Sequence, residues 1–186
     1  AKYKNKKFIF GPHFSTFPND SLRQINNMYG NSIYIQPSEW ARNVWIIKKA
    51  TDIIPVKFFA FPVDMEKFKP IDRPRDKVFV YFKRRKLSEL KVITNLLEKI
   101  GIEYKIFDYI KRYEEEDYLQ YLQQCKYGII LDAHESQGFA IEEALSCNVP
   151  LLVWNTKYMS QEVGGKYNDI PCTTIPYWDE RCGHYF

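Results

Sequence analysis

Two glutamates eight positions apart, Glu135 and Glu143, stand in the stretch "DAHESQGFAIEEALSCNVPLLVW" (132–154), on either side of Gly138. A carboxylate accepts two hydrogen bonds from a vicinal diol, so this pair suits a ribose or a hexose. A helix beginning near Gly138 would present unpaired backbone N–H groups and a partial positive charge, which favour a phosphate or a sugar hydroxyl. Glycine at that point lets a ligand come close to the backbone. His134, Ser136, Gln137 and Phe139 share the same turn. The plainer reading is that glutamate is a good helix former, with Glu142 and Glu143 on a solvated face and Ile141, Ala144 and Leu145 facing a core.

Such a site needs a strand to deliver the loop and a helix to receive it. From residue 76 onward the pattern alternates. "KVFVYF" reads as a strand. "LSELKVITNLLEKIG" follows as a helix with Leu90, Ile93, Leu97 and Ile100 on one face, Ser88 as N-cap and Gly101 as stop. "EYKIF" is a second strand, and "EEEDYLQYLQQC" a helix with acidic residues in its first turn, where the helix dipole favours them. "YGIIL", the helix "GFAIEEALSC" and "PLLVW" complete the series. Four strands alternating with helices predict a Rossmann-like parallel sheet covered on both faces, with ligands bound beyond the carboxyl ends of the strands.

The first 65 residues read differently. "KFIFGPHF", "SIYIQP" and "VKFFAFP" are expected strands. "SEWARNVWIIKKA" is an expected helix capped by Ser38, with Trp40, Val44 and Ile47 inward. Pro62, Pro70 and Pro74 lie in a charged stretch that predicts a junction. The expected division is residues 1–65, the tail of a preceding α/β domain, and 66–186, the alternating domain.

Apolar residues make up 45% and charged residues 27%, an ordinary balance for a globular protein. No apolar run approaches the roughly 18 residues of a membrane span, and the start "AKYKNKKFIFGPHF" is too interrupted for a signal peptide. The net charge of +4 is mild, and nucleic-acid binding would want a longer basic stripe. The basic clusters at Lys2 to Lys7 and at "FKRRK", and the acidic "YEEED", read most simply as solvated surface. Cys125, Cys147, Cys172 and Cys182 form no CxxC pair. Cys125 and Cys147 fall on expected helices as buried free thiols, and "CGH" with Cys172 is a poor zinc signature. A reducing, cytoplasmic setting is expected.

The stretch "ESQGFAIEEALSCNVPLLVW" resembles the E-x7-E signature of retaining glycosyltransferases of the GT-B architecture, especially glycosyltransferase family four. Glu135 and Glu143 fall on the two glutamates, and Glu142 on a position that the family usually fills with an apolar residue. "QPSEWARNVW" (36–45) resembles the family's "PSEW" near the end of its N-terminal domain, and "FPVDMEKFKP" its following linker. The resemblance covers roughly residues 32–154. It implies that Glu143 holds the ribose, that Glu135 serves the donor sugar or the anomeric centre, and that the backbone at Gly138 and Phe139 meets sugar or diphosphate oxygens, with His134, Ser136 and Gln137 in the same pocket. The family's glycine-arginine pair is missing. Lys83 and Arg84, in "FKRRKLSELK", take the diphosphate role, with Arg85, Lys86 and Lys91 open.

The implied partners are a UDP- or GDP-sugar and a carbohydrate acceptor, with no metal and no further cofactor. A complete enzyme of two such domains needs about 350 residues, so the chain is expected to lack most of an acceptor-side domain, as a fragment of a longer enzyme or as a truncated family member. His13, in "FGPHF", is its one candidate in the surviving tail, where a structural histidine is the plainer reading. Two other readings stand beside this one. One is a non-catalytic nucleotide-sugar-binding module, and the other an interaction domain that meets an acidic partner through the basic patch at 83–86.

Overall fold

The computed structural model describes residues 5–12, 18, 22–24, 27, 30–165 and 167–186. The chain divides into two compact units, Ala1–Phe61 and Pro62–Phe186.

The first unit holds three parallel strands, β1 (Phe8–Phe10), β2 (Ser32–Gln36) and β3 (Val56–Phe58), in the order β1-β2-β3. Helix α1 (Glu39–Ile47) connects β2 to β3. Tyr34 of β2 stacks on Trp45 of α1 at 4.1 Å between ring centres, and Leu22, Ala50, Ile54 and Val56 close the core around them. The inward face of α1 is Ala41, Val44 and Trp45, an i, i+3, i+4 set. It is not the expected Trp40, Val44 and Ile47, and Ile47 is 62% exposed. Ser38 does stand at the N-cap with extended backbone, but its side chain makes no capping bond and its hydroxyl is buried.

The second unit is a five-stranded, all-parallel sheet. Its strands are β4 (Lys77–Phe82), β5 (Tyr104–Asp108), β6 (Cys125–Leu131), β7 (Leu151–Val153) and β8 (Gly183–Tyr185), in the order β5-β4-β6-β7-β8. Helices α2 (Leu87–Lys99), α3 (Glu115–Leu122) and α4 (Phe139–Ser146) make the crossovers. Alternation along β4 divides the core. Val80 and Phe82 join Leu97, Leu90 and Ile93 of α2 on one face. Phe79 and Tyr81 join Tyr118, Leu119 and Leu122 of α3 and Ile141 and Ala144 of α4 on the other. Helices therefore cover both faces, and the central strands read as continuous apolar runs because both of their sides are buried.

Several local expectations are corrected. Helix α2 is capped at Lys86 rather than Ser88. Its Glu89 carboxylate reaches back to accept the Lys86 N–H at 3.0 Å, which starts the helix earlier. Ile100 lies past the last turn and is exposed. Cys125 opens β6 instead of closing a helix. The proline-rich stretch is no free linker within the second unit, because Phe68 is 3% exposed in its core and the Ser146 hydroxyl donates to the Phe68 carbonyl. Strand β8, "GHY", was not expected. Gly183 has φ 135°, and a Cβ there would stand 1.9 Å from the Leu151 carbonyl oxygen, so the close pairing with β7 requires glycine.

Candidate functional site

The strand order β5-β4-β6-β7-β8 places the topological switch between β4 and β6. The chain leaves β4 toward β5 on one side and returns to β6 on the other. Crevices outside the carboxyl ends of strands at such a point are where open α/β sheets bind ligands. The register brings Phe82, Asp108 and Leu131 level, so the loops that follow β4, β5 and β6 open at the same edge.

Lys83 is the first residue beyond β4, and Asp132 the first beyond β6. The Lys83 ammonium contacts the Glu135 carboxylate and lies 4.0 Å from Asp132 Oδ2 and 4.4 Å from the centre of the Tyr109 ring. The side chains of Lys83 and Glu135 are 12% and 13% exposed, and that of Asp132 is wholly buried. Burial alone would push the ammonium's pKa down. The charges of Asp132 and Glu135 more than offset this and hold it above its usual value. For Asp132 the balance runs the other way: burial and the Glu135 charge raise its carboxyl well above the carboxylate range, against the opposing pull of Lys83.

A second group borders this one. Glu162 accepts from the Arg84 guanidinium at 3.3 Å and lies 3.6 Å from His134 Nδ1. Arg84 sits in left-handed backbone, φ 52°, at the turn from β4 into α2. Burial lowers the His134 pKa, which favours the neutral ring. Arg85 turns away from the crevice. It binds Glu89 through two nitrogens, at 3.0 and 2.7 Å, donates to the Gln161 carbonyl and packs on Trp154. The expected basic patch is thus largely compensated from within: Lys83, Arg84 and Arg85 each face a carboxylate, and Lys86 alone among them is an exposed helix cap.

The turn from β6 into α4 is held from behind. The Thr156 and Thr174 hydroxyls donate to the Ala133 carbonyl, and the Glu135 N–H donates to the Thr173 carbonyl at 3.2 Å. Gly138, φ 80°, is the N-cap of α4, and a Cβ there would press to 3.3 Å from Glu135 Cβ. Ser136 and Gln137 are buried, and the Phe139 ring is 45% exposed. Glu142 is not on a solvated face. Its carboxylate accepts from Gln137 Nε2 at 2.6 Å, and burial pushes its pKa up to about 7.

Glu143 lies half-buried on α4. Burial and then the Glu115 charge push its pKa up to about 7, with Lys67 opposing. Lys67 itself is ion-paired to Glu115. Tyr113 senses the charge of both glutamates: burial first, and then the charges of Glu143 and Glu135, raise its phenol to about 12. Sequence reasoning picked out Lys83, Glu135 and His134, and they meet in space. It missed Asp132, Glu162 and Tyr109, although Asp132 could have been flagged as the first polar residue after "GIIL". His13 lies outside the described residues. Among the described residues, no group of three or more His, Cys, Asp or Glu could hold a metal ion, and no helix is long and apolar enough to cross a membrane.

No protein-family model matches the chain, and no curated protein matches it. Three solved chains do. One is a sucrose-phosphate synthase from Thermosynechococcus elongatus, similar at 11% identity and a TM-score of 0.43 over 73% of this chain. The matched region spans 44% of that protein's length. The second unit is a Rossmann-like α/β domain by its own topology.

Proposed function

We propose that the second unit is the nucleotide-diphospho-sugar-binding half of a retaining glycosyltransferase of the GT-B type. The first unit then belongs to the end of its acceptor-side domain, and the whole enzyme transfers a sugar from a UDP- or GDP-sugar to a carbohydrate acceptor. The observation that carries the reading is the meeting of Lys83 with Glu135 at the β4–β6 switch, beside the N-terminus of α4. Cation, carboxylate and free backbone N–H groups are what a sugar diphosphate requires.

In this reading Lys83 and Arg84 meet the diphosphate and neutralise the charge that grows on the departing nucleoside diphosphate. As the diphosphate takes Lys83, Glu135 is freed to turn to the sugar hydroxyls or the anomeric centre. The backbone at Gly138 and Phe139 holds sugar or phosphate oxygens. Gln137, set by Glu142, and Ser136 and His134 line the turn. Glu143, one and a half turns into α4 and acting through its charge on the same tyrosine as Glu135, takes the ribose diol. No metal enters this scheme.

Calorimetry with UDP, GDP and ADP tests it. Binding of one of them in the micromolar to millimolar range is expected, and no binding by any at millimolar concentration would sink the reading. Detection of transfer, or of slow donor hydrolysis, from the matching sugar nucleotide then separates an enzyme from a binding module.

A further inference from the structure

Asp132 is the most deeply buried carboxyl group of the site. Its Oδ1 accepts the Ala133 N–H at 2.6 Å. Its Oδ2 has no hydrogen-bond donor among the described residues and stands 4.0 Å from the Lys83 ammonium, which already contacts Glu135. The titratable groups whose charge reaches it are Glu135 in its own loop, Lys83 beyond β4 and Tyr81 within β4. Toward β7 the turn meets the neutral hydroxyls of Thr156 and Thr174 and the Thr173 carbonyl, with the Cys172 thiol 3.8 Å beyond the Thr156 hydroxyl. Two carboxylates around one cation, one of them cut off from water, do not both ionise readily.

We infer that Asp132 is a positioning residue that carries a proton in the folded protein, fixing Lys83 at the switch-point crevice without neutralising it. The inference deepens the proposed function and rests on it for the identity of the ligand.

Charge and geometry give the consequence. With Asp132 neutral, Lys83 and Glu135 cancel, and a diphosphate that displaces Glu135 meets a whole positive charge. With Asp132 ionised, the cluster carries a net negative charge and repels the same ligand. A proton on Oδ2 also gives that atom something to donate toward the adjacent Glu135 carboxylate. The Asp132 carboxyl stands 4.0 Å from the ammonium and is wholly buried. Its loss would let the flexible Lys83 stem settle elsewhere, and even about 1 Å of misplacement is costly to a charge-assisted contact.

The test compares Asp132→Asn, an isostere of the protonated form, with Asp132→Ala. With UDP as probe at pH 6.5, the asparagine variant should bind within threefold of wild type, and the alanine variant at least tenfold more weakly. As pH rises, wild type should lose affinity relative to the asparagine variant. Asparagine binding tenfold tighter than wild type at pH 6.5 would mean that Asp132 is ionised there. Alanine binding as wild type would mean that Asp132 positions nothing. Either result overturns the inference.

Infrared difference spectroscopy of the unliganded protein keeps this separate from the fate of the functional reading. The wild-type minus Asp132→Asn difference spectrum at pH 6.5 should show a protonated-carboxyl band, because the protonated Glu142 and Glu143 are common to both proteins and cancel. A difference spectrum without that band overturns the inference even if UDP binds. A present band with no nucleotide binding leaves the protonated Asp132 standing and removes the proposed function.

Discussion

Replacing Lys83 by methionine keeps the apolar stem and removes only the charge, and the consequence can be worked from the geometry. The Lys83 and Glu135 side chains are 12% and 13% exposed, so the pair is nearly buried, and the lost cation leaves the Glu135 carboxylate without its ammonium partner. Removing one partner of a buried pair costs about 3–5 kcal/mol. Glu135 keeps a thin contact with solvent, which places the loss at the low end, about 3 kcal/mol. For a chain of 186 residues this corresponds to a Tm lower by about 6–12 °C.

The cost should be a property of the pair. Glu135→Gln introduced beside Lys83→Met removes the stranded charge, so the double variant should recover about 2 kcal/mol relative to the sum of the two single losses. Urea unfolding of the four proteins at pH 7.5, followed by circular dichroism, gives the cycle. Additivity within 0.5 kcal/mol would show that the contact carries no energy and would refute the reasoning.

Glu143→Ala should weaken nucleoside diphosphate binding by about 1.5–3 kcal/mol, the range for hydrogen bonds to charged groups, while Glu135→Gln leaves it near wild type. Calorimetry showing equal losses would end the proposed division between ribose and sugar. Glu142 and Glu143 are both raised from 4.5 to about 7 in the folded protein, so the native state holds protons that the unfolded chain releases. Their contribution to stability is therefore full below about pH 4.5 and lost as the pH rises through about 7. The joint Glu142→Gln and Glu143→Gln variant should flatten the fall in urea midpoint between pH 5 and 7.5, and an unaltered slope would contradict the assignment. Gly183→Ala forces a Cβ to 1.9 Å from the Leu151 oxygen at a φ of 135°. It should destabilise the protein by about 1–3 kcal/mol, with faster amide exchange across β7 and β8 as the readout.

What the sequence disclosed follows from what repeats in it. Buried parallel strands such as "KVFVYF" and "YGIIL" are unbroken apolar runs, and the 3.6-residue spacing of Leu90, Ile93 and Leu97 marks a packed helix face; both are visible without coordinates. Strand β8 was hidden because "GHY" carries no apolar pattern. It pairs through its backbone at a place where only glycine fits. Ser38 and Ser88 have the chemistry of caps, yet one makes no bond and the other is pre-empted by Glu89 reaching back to Lys86.

Within the site, residue type suggested Lys83 and Glu135 separately, and nothing local reveals that they neutralise each other 52 positions apart. Arg85 and Arg84 look alike in "FKRRK", but one lies under Trp154 and the other reaches Glu162. Which neighbour each meets depends on the loop 155–165, whose path has no periodic signal. Glu142 looked solvated because glutamate commonly is, and its burial against Gln137 depends on the turn before α4.

The rim of the crevice has a consequence for motion. Arg85 ties the turn after β4 to the Gln161 carbonyl, the Val163 N–H donates to the Arg84 carbonyl, and Thr173 and Thr174 hold the turn after β6. Loops that usually fluctuate independently are here stitched to one another across the sheet edge. A ligand entering such a rim finds most of its partners already immobile, so little disorder remains to be frozen out on association. Recognition then resembles a key meeting a fixed lock, with selectivity arising from the spacing of anchored groups, while the Lys83 ammonium stays in place and the Glu135 side chain turns from it to the ligand.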